Sequence, residues 1–133
     1  MHRIIIAFSL VLASPLLMAS SCDRRQCPED IACTEIFSMV TVQVSGPDGM
    51  PASLDEVYTI RTSTGEKIIP DQSIGGGVYV VLDDSYRQKL QQQKDEFRLV
   101  GMQNGQKVLE EPFVIEADCC HIRKVSGADT LQR

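Results

Sequence analysis

The chain has 133 residues, with 13 Lys and Arg against 18 Asp and Glu, and its formal net charge is −5. This acidic balance argues against nucleic acid as a partner, because Lys and Arg neutralise the phosphates in such complexes. Hydrophobic residues make up 43% of the chain and aromatic residues 5%. The composition therefore predicts one small globular domain with a mostly aliphatic core, not a disordered acidic tail.

Residues 1–21 have the pattern of a secretory signal peptide. A basic start at His2 and Arg3 precedes an apolar run over residues 4–17 and then small residues up to Ser21. The apolar run is shorter than the roughly 20 residues that a membrane-spanning helix needs, which favours cleavage over an uncleaved anchor. We therefore predict that the chain is exported and that residues 1–21 are removed.

The residues Ala19-Ser20-Ser21-Cys22 resemble the lipobox of bacterial lipoproteins, although Ala19 stands where the lipobox usually has Leu. The resemblance implies cleavage before Cys22, acylation of Cys22 with palmitate-type chains, and attachment to a membrane of the cell envelope, on a face that the motif does not specify. Two or more acyl chains make a stable anchor. The alternative is ordinary cleavage, with Cys22 free or in a disulfide.

The cysteine count agrees with this interpretation of Cys22. The chain has five cysteines, and an odd number in an exported protein needs an explanation. Lipidation of Cys22 leaves an even set of four. Residues 22–33, which are polar and contain Pro28, are then predicted to be a lipidated tether that precedes the folded domain.

Alternating β-branched residues predict a first strand over residues 36–44, followed by a Gly-Pro-Asp-Gly turn at residues 46–49. The same pattern and its turn residues predict further strands over residues 54–62, 66–69, 78–82, 97–102, 106–110 and 113–124, the last as one strand or a bent pair. Asn104-Gly105 is a strong hairpin signal, and Pro112 marks a sheet edge or a break.

Residues 85–94 contain good helix formers and follow the capping residues Asp83 and Asp84, so they predict the one short helix. Seven short strands separated by frequent turns predict an all-β fold, an antiparallel seven-stranded sandwich. We assign residues 34–126 to this sandwich and residues 127–133 to a flexible tail.

Three turn motifs lie within residues 38–82. They are Val40-x-Val42-x-Val44-x-Gly46-Pro47-Asp48-Gly49-x-Pro51, then Thr64-Gly65, then Gly77-Val78-Tyr79. This arrangement resembles the carboxypeptidase regulatory-like domains of the transthyretin (prealbumin) type. The resemblance implies a prealbumin-like sandwich that serves as a surface module, with a short helix near residues 85–94, and it carries no catalytic residues to transfer. Asp118-Cys119-Cys120-His121 departs from the family pattern.

Four cysteines remain in the mature chain: Cys27, Cys33, Cys119 and Cys120. Disulfides are the expected state in an exported protein. A bond between the adjacent residues Cys119 and Cys120 would strain the peptide between them. The other two pairings stay open, and both tie the tether to the last strand, with each bond contributing about 2–4 kcal/mol.

Chemical alternatives for the same residues also stay open. Cys27, Cys33, Cys120 and His121 could form a zinc site, although a Cys-x5-Cys spacing is not the usual knuckle and the compartment favours oxidation. His121, the only histidine after residue 21, could act as a general base in a small hydrolase. A thiol-redox enzyme is disfavoured because the chain has no Cys-x-x-Cys.

The pattern as a whole predicts a membrane-anchored envelope lipoprotein that acts as a non-catalytic binding or structural module. Its expected partners are the membrane, through the lipid, and another envelope protein or a glycan. No cofactor is expected. The metal-binding lipoprotein, the small hydrolase and the thiol-redox enzyme are the rival hypotheses.

Overall fold

The computed structural model describes residues 27–70, 74–90 and 92–133. The predicted signal peptide and the predicted lipidation site Cys22 lie outside these residues, as does the first part of the predicted tether. Among the helices in the described ranges, none has the length and apolar character needed to cross a membrane.

The described residues form an all-β sandwich of two sheets. A three-stranded sheet has the order β4-β1-β8, and a five-stranded sheet has the order β3-β2-β5-β6-β7. The strands are β1 (Met39–Ser45), β2 (Glu56–Arg61), β3 (Lys67–Ile68), β4 (Val78–Asp83), β5 (Lys94–Gln103), β6 (Gln106–Ala117), β7 (Ile122–Ser126) and β8 (Thr130–Gln132). A 3₁₀ turn (Asp84–Tyr86) runs into the single-turn helix α1 (Arg87–Leu90) after β4.

The core lies between the two sheets and follows the two-residue period of the strands. Val40, Val42 and Val44 of β1 are buried, while the residues between them are partly exposed. The largest buried side chains of the opposite sheet are the rings of Phe97 and Phe113. The predicted sandwich and its mostly aliphatic core are therefore confirmed.

One buried hydroxyl links the two sheets. Thr59 of β2 is fully buried, and its Oγ1 donates a hydrogen bond to the carbonyl of Val81 in β4 at 2.6 Å. A buried hydroxyl without a partner would cost free energy, so this bond makes a threonine acceptable in the core. It also connects β2 to β4, two strands that belong to different sheets.

The sandwich has one strand more than predicted and extends further along the chain. Residues 127–133 were predicted to be a flexible tail, but Thr130–Gln132 form β8, which pairs in parallel with β1. The sheet that contains β8 is therefore not purely antiparallel. Leu131 packs against the core from β8. A three-residue strand with one apolar residue has no periodicity that a sequence pattern could reveal.

The helix is shorter than the predicted span of residues 85–94. It ends at Leu90, and β5 begins at Lys94, where the chain pairs with Glu116 of β6. Gln92 adopts a positive φ of 60° in the connection. The helix propensity of the glutamine-rich segment is therefore overridden by strand pairing, which stabilises β5 over its whole length.

Strand β6 runs through Pro112, which the sequence marked as an edge or a break. On one side, Pro112 lies opposite Arg98 of β5. On the other side, β7 pairs with β6 only from Val114 onward. Pro112 therefore lies where β6 is locally an edge, which is the position in a sheet that tolerates a missing N–H donor. The predicted bent pair over residues 113–124 corresponds to the end of β6 and the start of β7.

Candidate functional site

Two disulfides join the segment before β1 to the connection between β6 and β7. Cys27 is bonded to Cys119 and Cys33 to Cys120, with Cα–Cα distances of 5.5 and 5.3 Å. This is one of the two long-range pairings that the sequence left open. All four cysteines are consumed, so the proposed zinc set with His121 has no thiolate ligands. Within the described ranges, no group of three or more His, Cys, Asp or Glu side chains is placed to hold a metal ion.

The connection that carries the adjacent cysteines is a tight turn organised by Asp118. The Asp118 Oδ1 atom accepts hydrogen bonds from the amides of Cys120 and His121, both at 2.7 Å. These backbone hydrogen bonds, led by the one from His121, hold the pKa of the Asp118 carboxyl below its usual value. The aspartate thus satisfies two amides that a turn would otherwise leave without partners.

Arg87, the first residue of α1, also forms hydrogen bonds with this turn. Its guanidinium donates hydrogen bonds to the carbonyl oxygens of Cys119 at 3.0 Å and Cys120 at 2.8 Å. Bonds from a charged donor are stronger than those between neutral groups. The short helix after β4 therefore positions a cation against the backbone carbonyls of Cys119 and Cys120, one cysteine from each disulfide.

Asp84 connects three separate parts of the chain. Its Oδ2 atom accepts hydrogen bonds from the Nδ1 atom of His121 at 2.7 Å and the amide of Ser38 at 2.8 Å. Its Oδ1 atom accepts one from the amide of Ile122 at 2.8 Å. The sequence suggested that Asp83 and Asp84 both cap the helix, but only Asp83 does so, through the amide of Ser85.

The environment of Asp84 favours its charged form. Burial of this carboxyl, whose side chain is 10% exposed, would by itself raise its pKa. The hydrogen bonds from His121, Ile122 and Ser38 outweigh burial and hold the pKa below the ordinary value of 3.8. Asp84 is therefore an ionised acceptor that joins the starts of β1 and β7.

Thr34 completes a chain of three side chains. Its Oγ1 atom lies 2.9 Å from the Nε2 atom of His121, whose side chain is 26% exposed. The charged carboxylate of Asp84 favours the tautomer with the proton on Nδ1, so Nε2 accepts a hydrogen bond from the Thr34 hydroxyl. A hydroxyl, an imidazole and a carboxylate in this order are the groups that activate a nucleophile in hydrolases.

Sequence reasoning singled out His121 and all four cysteines but missed Thr34 and Arg87. Thr34 follows Cys33 and His121 follows Cys120, so a Cys33–Cys120 bond brings them side by side. The positions of Thr34 and His121 next to cysteines therefore indicate their contact only once the Cys33–Cys120 pairing is known. No sequence signal pointed to Arg87, because its contact with the turn depends on the packing of α1.

Replacing Asp84 by Asn is expected to lower the free energy of unfolding at neutral pH by about 2–4 kcal/mol. The amide keeps one acceptor oxygen and replaces the other by an NH2 group, so it cannot accept all three bonds that Asp84 accepts from His121, Ser38 and Ile122. Urea denaturation measures the loss. Asp30→Asn, at an exposed position, is the control and should change the stability little.

The same variant has an expected pH signature. Because folding lowers the Asp84 pKa below 3.8, the stability it contributes is present above that value and is lost as the pH falls through the folded-state pKa. The Asn variant should therefore lose less stability than the wild type between about pH 5 and pH 2. Equal losses in the two proteins would show that Asp84 is not an ionised acceptor.

Two shallow grooves lie elsewhere on the molecule. They have volumes of about 440 and 430 Å³ and share Thr62, Glu96 and Val114 as lining residues. Neither groove includes Thr34 or His121. The chain of three side chains and these two grooves are therefore separate features.

Comparisons of the chain with protein-family models, with curated proteins and with solved structures found no match. The resemblance to transthyretin-type domains therefore stays a prediction, whereas the sandwich architecture is a property of the described residues.

Proposed function

We propose that the protein is a membrane-anchored lipoprotein of a bacterial envelope and that its sandwich acts as a non-catalytic binding or structural module. The observation that carries this proposal is the placement of the two disulfides. They tie Cys27 and Cys33, the first cysteines after the predicted anchor, to the end of the sandwich. The partners we expect are the membrane and another envelope protein or a glycan.

The distance from anchor to domain supports the proposal. Cys22 and Cys27 are five positions apart, so a fully extended chain separates them by at most about 18 Å. The disulfide at Cys27 connects this short tether to the β6–β7 turn. A force on the lipid would therefore act on the folded sandwich through the Cys27–Cys119 bond. It would not detach the segment before β1 from the sandwich.

Membrane fractionation of the full chain expressed in bacteria tests the anchor. The wild type is expected in the membrane fraction and Cys22→Ser in the soluble fraction. Intact mass should show two disulfides in both proteins, because Cys22 is not one of the four paired cysteines. A Cys22→Ser variant that has lost residues 1–21, keeps both disulfides and still stays with membranes would contradict the lipid anchor.

A small hydrolase is the second candidate, and the contacts of His121 with Thr34 and Asp84 favour it. In such an enzyme the Thr34 hydroxyl would attack an ester carbonyl and pass its proton to Nε2 of His121, which would give it to the leaving alcohol as the ester bond breaks. Water would then release the acid from the acylated Thr34. Asp84 also has a purely structural explanation, because its oxygens accept the amides of Ser38 and Ile122. We therefore rank this candidate second.

Hydrolysis of p-nitrophenyl acetate separates the two candidates. A non-catalytic module should give the same slow rate for the wild type, Thr34→Val and Thr34→Ser, because all three keep the imidazole of His121. A hydrolase should lose about tenfold or more in rate in Thr34→Val and keep activity in Thr34→Ser. That second pattern would overturn the assignment of a non-catalytic role.

A further inference from the structure

The segment before β1 presents three large apolar side chains to solvent. Ile31, Ile36 and Phe37 are 44%, 73% and 48% exposed. Single exposed apolar residues are common on proteins, but three within seven positions make this segment the candidate for a contact surface. We call these three residues the apolar segment residues.

The apolar segment residues lie at one end of the sandwich. Ile31 lies between Cys27 and Cys33, which are bonded to the β6–β7 turn. Ile36 and Phe37 lie just before β1, whose first residues pair with the end of β4. The starts of β1 and β7 and the ends of β4 and β6 all meet there, so we call this the disulfide end.

The opposite end of the sandwich faces the other way. It includes the turn after β1, where Met50 is 63% exposed, and the hairpin at Asn104 and Gly105. A surface that contacts the disulfide end therefore does not contact Met50. This gives a control position of similar exposure and apolar character.

The predicted anchor determines which surface can meet the disulfide end. Cys27 is held there, and it lies at most about 18 Å along an extended chain from Cys22. The bilayer into which the acyl chains of Cys22 insert is therefore always within reach of this end of the domain. Its effective concentration exceeds that of any partner that must diffuse to the site.

The charges of the segment disfavour a contact driven by anionic lipid. Residues 27–38 contain Glu29, Asp30 and Glu35 and no Lys or Arg, and with Asp23, Arg24 and Arg25 of the tether the stretch is still net acidic. Such a segment is not drawn to anionic headgroups, which attract net basic segments. Its attraction to a bilayer would come from burying apolar side chains in the interfacial region.

We propose that the apolar segment residues dock on the bilayer to which the protein is anchored, so that the sandwich stands with its disulfide end on the membrane. This inference rests on the proposed lipid anchor and adds an orientation to it. The two disulfides keep the segment in place at that end. Met50 and the Asn104-Gly105 hairpin then point away from the membrane, toward the partners of the module.

The experiment uses the absence of Trp from the chain, which makes an introduced Trp the only one. Phe37→Trp and Met50→Trp are made in the chain from Cys22 onward, which contains every described strand and both disulfides. Cys22, left as the single free thiol, is coupled to a maleimide lipid in neutral phosphatidylcholine vesicles. This supplies the anchor chemically, so the result does not depend on lipidation in cells.

Docking predicts that the Phe37→Trp emission shifts to the blue and loses intensity when brominated lipids are included, and that the Met50→Trp emission does neither. Adding Ile31→Ser and Ile36→Ser to the Phe37→Trp variant should remove most of the quenching. Replacing part of the neutral lipid by an anionic lipid should not increase it.

Three results would overturn the docking. Unquenched Phe37→Trp emission would show that the disulfide end does not touch the bilayer. Equal quenching at Met50→Trp would show that the domain has no preferred orientation on the bilayer. Quenching that requires anionic lipid would show a charge-driven contact. None of these results tests the lipid anchor, which is tested by the membrane fractionation of Cys22→Ser. The docking and the anchor can therefore be contradicted independently.

Discussion

Removing both disulfides is expected to lower the free energy of unfolding by about 7 kcal/mol, whereas removing either one should cost only about 2–3 kcal/mol. The two bonds span 92 and 87 residues and run almost in parallel, because their partners are close together at both ends. Either bond alone closes the long loop of the unfolded chain. The second then closes only a small ring of about eight residues, which restricts the unfolded chain much less.

Urea denaturation of four proteins measures this effect: the wild type, Cys27→Ser with Cys119→Ser, Cys33→Ser with Cys120→Ser, and the variant with all four changes. The fourfold variant should lose about 2 kcal/mol more than the sum of the two pairs. Its expected loss is a large share of the roughly 5–15 kcal/mol that stabilises a typical domain. If the two pairs add up to the fourfold loss, each bond acts alone and the parallel-loop explanation is wrong.

Gly127→Ala is expected to lower the free energy of unfolding by about 4 kcal/mol, the sum of backbone strain and a core overlap. Gly127 has a φ of 128°, which side chains with a Cβ rarely adopt. A Cβ built at this position overlaps the ring of Phe113, one of the largest fully buried side chains. Either β8 must move away from the core or the ring must leave its place.

Gly105→Ala is the matched control for this variant. Gly105 also has a positive φ, of 73°, but a Cβ there has no atom within 4 Å. It should therefore cost only the backbone strain, about 1–2 kcal/mol. Combining Gly127→Ala with Phe113→Leu should recover part of the overlap and show a favourable coupling in a double-mutant cycle. Equal losses for the two glycine variants would show that the Phe113 ring is not in the way.

The disulfides also control the contacts of the candidate site. Thr34 lies beside His121 because Cys33 and Cys120, the residues before them, are bonded. Asp84 contacts the same histidine at Nδ1, the ring nitrogen that does not face Thr34. The variant that lacks the Cys33–Cys120 bond is therefore expected to lose the contact between Thr34 and His121. Asp84 would keep its bonds to the amides of Ser38 and Ile122.

Local pattern was a good guide to most strands. The alternation of Val40, Val42 and Val44 predicted both the strand and its buried face, and Asn104-Gly105 correctly marked the β5–β6 hairpin. These features depend on neighbouring residues, because side-chain direction alternates along a strand and turn type depends on the residues in the turn. The short helix predicted near residues 85–94 is present but ends at Leu90, because its end is decided by the pairing of β5 with β6.

The candidate site divides in the same way. The sequence by itself determined that the chain is acidic, rich in short strands, and carries five cysteines, of which two directly precede His121. These are properties of composition and of near neighbours, and no folding is needed to read them. They were sufficient to predict an all-β sandwich and to mark His121 and its neighbouring cysteines.

Only the tertiary structure decided which cysteines pair, that Thr34 and Asp84 meet at His121, and that β8 closes the sheet beside β1. Each of these contacts joins residues far apart in the chain. Their identity depends on which strand ends meet in space, and many pairings are compatible with the same local pattern. Packing of the two sheets selects one pairing, because burying the valines of β1 against Phe97 and Phe113 brings Asp84, Thr34 and the β6–β7 turn to the same end.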